Sequence, residues 1–242
     1  MRNHNGEGEV ITVIIIIGLT IALALLFYVI ASHNFSSAMA NSVMSSGETL
    51  FLNIATDLDG SLSNTISESA LSYAVPPTNL AVINIANNYC SLYINGTPYS
   101  ESAAVIFGAP PSLISAPTGF RVELLGNNSI IIFNRTSNMF NVDMYGYGTI
   151  NGVTYGEYLV LYPKISIFPV GSTYYIYVPI FKSGINNGFH GLLNFNATGY
   201  RYSSLYVKTI EYRCGTGTQY IDNEITLNSD VMLITNTVII NE

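Results

Sequence analysis

Val10–Ala31, VITVIIIIGLTIALALLFYVIA, carries no charged residue in 22 positions. As a helix rising about 1.5 Å per residue it reaches roughly 33 Å, enough to cross a bilayer core of about 30 Å. The nine residues before it, MRNHNGEGE, are polar and hold one basic side chain, Arg2; the next basic residue is Arg121. Lys and Arg beside a spanning segment are retained on the inner side, which places the N-terminus in the cytoplasm and the rest of the chain outside. Ala38-Met39-Ala40 has the small-x-small form of a secretory cleavage site. The apolar run, however, exceeds the roughly 7–15 residues of a signal peptide core. A retained helix is therefore expected, with a removed signal and a mature start at Asn41 as the rival reading. A buried soluble helix fits the β-branched, charge-free composition poorly.

Outward from this run, residues 35–73 turn polar, yet apolar side chains recur at Phe35, Met39 and Val43, then at Leu50, Ile54, Leu58, Leu62, Ile66 and Ala70. Intervals of four predict an amphipathic continuation of the helix. Gly47 marks a candidate bend, and Pro76-Pro77 ends the pattern because proline cannot donate to a helical ladder. Beyond it, short runs rich in Ile, Val, Tyr and Phe alternate with turn residues, from LAVINIA at Leu80 to VMLITNTVII at Val231. Asn95-Gly96, Asn151-Gly152 and Asn187-Gly188 are hairpin signals. Some ten strands with no amphipathic helix between them predict an antiparallel sandwich or related all-β domain. The expected fold class is α+β: a long N-terminal transmembrane helix within residues 7–75, followed by a β domain over residues 76–242.

Only 10% of residues are charged and the formal net charge is −7. Scattered single basic residues exclude nucleic acid as a partner, because phosphate binding needs clustered Lys and Arg. Cys90 and Cys214 stand 124 positions apart, too far for a CxxC motif, which leaves one long-range disulfide or two buried thiols. Thirteen of the eighteen tyrosines fall between Tyr145 and Tyr220, as an ordinary sheet face or as a contact surface for carbohydrate or another subunit.

Catalysis normally joins a histidine, paired carboxylates or an activated nucleophile. His4 and His33 flank the apolar run, and His190 stands alone beside Gly191. Asp57-Leu-Asp59-Gly60 brings its glycine at the fourth position, not the sixth that a calcium loop needs, and Asp222-Asn223-Glu224 is an equally thin cation candidate. No enzyme, metal site or cofactor is expected. Asn34, Asn95, Asn127, Asn134 and Asn196 begin Asn-x-Ser/Thr triplets on the side expected to be outside, and of these Asn95, Asn127, Asn134 and Asn196 are candidate glycosylation sites. Asn34 is too close to the membrane.

The N-terminus, Asn-Gly-Glu-Gly-Glu-Val-Ile at residues 5–11, resembles the class III signal peptides of archaeal type IV pilin-like proteins. The resemblance implies cutting by a prepilin peptidase on the cytoplasmic side after Gly6, leaving residues 1–6 as the leader and Glu7 first, with the helix kept; a cut after Gly8 is the alternative. The family usually carries Lys or Arg before the cleavage glycine, and Asn5 holds that place here. The implied protein is a non-catalytic cell-surface subunit of an extracellular filament serving adhesion or surface interaction, minor rather than bulk because its β domain is large. Its partners would be copies of itself or other pilin-like subunits, the membrane, and surface glycans or surface-layer proteins. The rival is a membrane-anchored binding module that never polymerises.

Overall fold

A computed structural model describes residues 5–64, 69–75, 79–126, 129–133, 138–184, 191–216 and 219–241. The chain divides into two compact units, Met1–Met39 and Ala40–Glu242. Helix α1 (Asn5–Asn64) supplies the described part of the first unit and opens the second. In the first unit every side chain from Thr12 to Phe35 is exposed. Thr20 Oγ1 donates to Ile16 O at 2.7 Å, so the hydroxyl inside the apolar run is satisfied by its own helix.

In the second unit α1 buries Ala40, Met44, Phe51, Ile54, Ala55, Leu58 and Leu62. Their mean spacing follows the 3.6-residue turn more closely than the strict fours read from the sequence, which is why Phe51 takes the centre of the stripe while Leu50 is half-buried. The described helix runs to Asn64 and does not extend to residue 73. Residues 69–74 form strand β1 (Ser69–Ala74), with Leu71 and Tyr73 packed inward and Ala70 exposed. An interval of four is also a multiple of the strand period of two, so Ala70 fitted the helical series while belonging to a strand.

The remaining strands are β2 (Val82–Ile94), β3 (Thr97–Ala109), β4 (Arg121–Leu125), β5 (Ile131–Ile132), β6 (Phe140–Tyr145), β7 (Gly148–Ile150), β8 (Val153–Tyr155), β9 (Glu157–Pro163), β10 (Ile165–Val170), β11 (Thr173–Ser183), β12 (Leu192–Thr216) and β13 (Gln219–Asn241). Eleven make one sheet in the order β4-β6-β9-β3-β2-β12-β13-β11-β10-β5, with β1 also on β12, and β7-β8 is a separate hairpin. The sheet is mostly antiparallel, as expected of the α+β class. Two pairs depart from a wholly antiparallel arrangement: β11 runs parallel to β13, and β5 parallel to β10. The hairpin partner of β13 is β12, so its other edge receives a strand from earlier in the chain, and that strand arrives in the same direction. The LAVINIA and CSLYI runs merge into β2 across a register shift between Ala86 and Cys90, where Asn88 has φ 56°.

Two turns follow their sequence signals. Asn95-Gly96 joins β2 to β3 and Asn151-Gly152 joins β7 to β8, each pair with both φ values positive, as a tight type I′ hairpin turn requires. Asn187-Gly188 lies outside the described residues.

The sheet is covered on both faces. Val105 and Phe107 of β3 and Leu159 and Leu161 of β9 face the helix, beside Phe140, Phe181 and Phe195. The alternate residues, Ala104, Ile106, Tyr158, Val160 and Tyr162, enter a second core with Ile176, Val178, Tyr212 and Leu233. The sheet closes over this second core: Phe181 N of β11 donates to Ser102 Oγ of β3 at 2.8 Å, and Tyr212 OH of β12 to Pro163 O of β9 at 3.2 Å. The result is sandwich-like, with residues 40–62 of α1 laid on one outer face.

Gly47 lies under that contact and does not break α1. A methyl there would overlap the Phe107 ring, whereas one on Gly60 would meet nothing within 4 Å. Helix propensity favours alanine over glycine by about 0.5–1 kcal/mol, while overpacking costs about 1–3 kcal/mol. Gly47→Ala should therefore destabilise the unit by about 1 kcal/mol or more, and Gly60→Ala should stabilise it slightly. Chemical denaturation of the two variants beside the parent checks the opposite signs; equal shifts would mean that Phe107 does not seat against the helix.

Candidate functional site

The first feature with functional content is the apolar surface of α1. Fourteen large apolar side chains from Val13 to Ile30 are exposed, among them the unbroken series Val13, Ile14, Ile15, Ile16 and Ile17. Five consecutive residues point to all sides of a helix, so this is an apolar cylinder and not a stripe. At about 1.5–3 kcal/mol per large side chain, leaving it in water costs on the order of 20 kcal/mol or more. That exceeds the roughly 5–15 kcal/mol by which a domain is stable, so lipid or other protein must cover it. The helix is long and apolar enough to cross a membrane. Gly6 and Glu7 fall in its first turn.

The second feature is the Cys90–Cys214 disulfide, which settles the alternative left open by the sequence. The two cysteines are direct cross-strand partners in the β2-β12 register, with Cα atoms 4.0 Å apart, and both are buried.

Asn95, at the tip of the β2-β3 hairpin, is exposed, but its carboxamide is engaged. Nδ2 donates to Tyr206 O at 3.0 Å, and Oδ1 accepts from Lys208 N at 2.7 Å and Thr209 N at 3.3 Å. Asn196 sits half-buried inside β12, opposite Ala70 of β1 and Ile239 of β13. Asn34 is exposed on α1. Asn127, Asn134, His4 and His190 lie outside the described residues.

The thin cation candidates have structural employment. Asp59 Oδ1 accepts from Met139 N at 2.8 Å and Asp57 Oδ2 from Tyr73 OH at 2.7 Å. Asp222 pairs with Arg213 at 3.3 Å, and Asn223 Oδ1 accepts from Ile130 N at 2.9 Å. The tyrosine band divides: Tyr145, Tyr155, Tyr158, Tyr162, Tyr177 and Tyr212 are buried, Tyr174, Tyr175 and Tyr200 are half-buried, and Tyr147, Tyr202, Tyr206 and Tyr220 are exposed. Beside β2 and β3, Asn87, Asn88, Tyr99, Glu101 and Lys182 line an open polar groove of about 520 Å³.

The third feature was not read from the sequence. Asp143 of β6 is fully buried, and its Oδ2 accepts from Arg121 Nη2 at 2.8 Å, Arg121 Nε at 3.2 Å, Tyr162 OH at 2.6 Å and Tyr145 OH at 3.1 Å. Asn141, on the same face of β6, is buried and donates through Nδ2 to Tyr162 OH at 3.0 Å. Lys164, just after β9, is 2% exposed. Burial pushes its ammonium down to about 8, against the pull of Asp143, Glu123 and Asp59, which favour the charged form. Burial also pushes the Tyr162 and Tyr145 hydroxyls up, with the Asp143 charge adding to it. The available signal was two isolated charges, Asp143 in FNVDMY and Lys164 in YPKISI, inside apolar strand patterns of a chain with very few charges.

Compared with protein-family models, with curated proteins and with solved structures, the chain matches none.

Proposed function

We propose that this is a non-catalytic, pilin-like cell-surface protein, a minor subunit of an extracellular filament that serves adhesion or surface interaction. The observation that carries the reading is the apolar cylinder from Val13 to Ile30, continuous in sequence with a disulfide-closed β unit. Before assembly a membrane would cover the cylinder; in a filament, helices of the same kind would cover it. Association of such helices gains little in lipid and much once they leave it for water. A buried disulfide fits an oxidising compartment outside the cytoplasm. Prepilin peptidase would cut after Gly6 and leave Glu7 first.

Ile14→Asp is the test. A carboxylate on the cylinder costs about 2.5–3.5 kcal/mol even in a translocating membrane, so the sheared filament fraction should lose this chain at least tenfold. N-terminal sequencing of the native protein should begin at Glu7. An Ile14→Asp chain assembling like its parent, or filaments that never contain the chain, would sink the proposal. The alternative, an anchored binding module, is favoured by the polar groove beside Asn87 and Glu101. Quantitative extraction as a detergent monomer starting at Met1, with no filament fraction, would select it.

A further inference from the structure

Buried amide and carboxylate oxygens are costly unless they are bonded to something. Asn141 Oδ1 and Asp143 Oδ1 are both buried without a hydrogen-bond partner. Gly126, with φ 102°, closes the space over Asn141: a methyl on it would overlap Asn141 Oδ1 and stand 2.7 Å from Lys164 Nζ. The carboxamide of β6 and the amine that follows β9 therefore share one small volume, and only a residue without a side chain can back it. Asn141 is paired with Tyr162, two residues before Lys164, in the β6-β9 register, so the sheet itself brings the two groups together.

We propose that Lys164 and Asn141 form an intramolecular amide cross-link, a covalent modification made by the folded protein on itself. The Lys164 nitrogen adds to Asn141 Cγ, the Cγ–Nδ2 bond breaks, and one ammonia leaves. No oxidant or outside reagent enters: one C–N bond forms, one breaks, and a proton passes from the lysine nitrogen to the departing nitrogen. The surrounding groups supply a route for that proton. Asp143 Oδ1 is open to take it. Tyr162 OH, which donates to Asp143 Oδ2 at 2.6 Å and accepts from Asn141 Nδ2 at 3.0 Å, can deliver its own proton to the leaving group and be reprotonated from the acid. Arg121 holds Asp143 in place through the other oxygen. The lowered basicity of Lys164 supports the step, since only the neutral amine is a nucleophile. A single turnover during maturation suffices, and the product removes a charge from the interior.

Peptide mapping of the full chain, extracted in detergent, reduced and digested, tests this directly. The expected result is a branched peptide joining Lys164 to Asn141, lighter by one ammonia than the two linear peptides together. The Lys164→Arg chain should yield only linear peptides. Tyr162→Phe keeps both reacting residues and should lower the branched fraction at least tenfold; undiminished linkage there would overturn the proton route. Recovery of the two sites as separate linear peptides from the wild-type chain would overturn the cross-link itself, whether or not either variant folds.

Discussion

Reduction of the Cys90–Cys214 disulfide, or its replacement by the Cys90→Ala/Cys214→Ala pair, is expected to destabilise the β unit by about 2–5 kcal/mol. For a unit of this size that lowers the melting temperature by roughly 10 °C. The bridge spans a sequence separation of 124 residues, so it restricts the unfolded chain strongly. Its location adds a local effect. Strand β12 meets β2 through five residue pairs, Ile210–Cys214 against Ile94–Cys90, and the disulfide is the last of them. Beyond Cys214 the β12-β13 pairing continues to Thr216 and Gln219. Amide exchange in the reduced protein should therefore rise first along residues 210–230, before the helix-facing core around Phe51 and Phe107 opens. A reduced chain that melts within about 1 °C of the oxidised one would show that the strand pairing holds the arm unaided.

Arg121→Ala is expected to cost about 3–5 kcal/mol, because it takes from a fully buried carboxylate the guanidinium that is hydrogen-bonded to it. Arg121 is itself 24% exposed in its side chain, whereas Asp143 is 1% exposed; the penalty falls on the partner that cannot reach water. Tyr145 and Tyr162 would still donate to Asp143 Oδ2, but neutral hydroxyls do not replace a guanidinium. Arg121→Ala combined with Asp143→Asn removes both charges, and the double variant should be more stable than Arg121→Ala alone. Denaturant unfolding of the two single variants, the double variant and the parent closes the cycle. A double variant less stable than Arg121→Ala would place the cost in lost packing of the arginine stem and not in the stranded charge.

The elements most legible in the sequence were those whose pattern has one physical cause. Val10–Ala31 could hardly be other than a long apolar helix, and Asn95-Gly96 and Asn151-Gly152 could hardly be other than hairpin turns. Where two causes give one pattern, the reading slipped. Spacing of four ran from Leu62 on to Ala70 without distinguishing helix from strand, and only pairing with β12 separates them. The polar halves of β12 and β13 gave no strand signal because β12 around Ser203 is exposed and β13 around Asn223 is at most half-buried, so polar residues fill both. The charged cluster around Asp143 was legible only as isolated charges: Arg121, Asn141, Asp143 and Lys164 come from β4, β6 and just after β9, and only the sheet order makes them neighbours.

Asn95 has a consequence for how an unfinished sheet edge stays inert. On the edge away from β13, strand β12 is flanked by β1 as far as Ala197 and by β2 from Ile210 onward, and between them no strand among the described residues pairs with that edge. One carboxamide, accepting two N–H groups and donating to one carbonyl there, serves as a one-residue substitute for the missing neighbour. An edge plugged in this way offers fewer open positions for a foreign strand to pair with. The plug commits one of the two Nδ2 hydrogens to Tyr206 O, so a sugar attached at Asn95 would take the other and leave the plug able to hold.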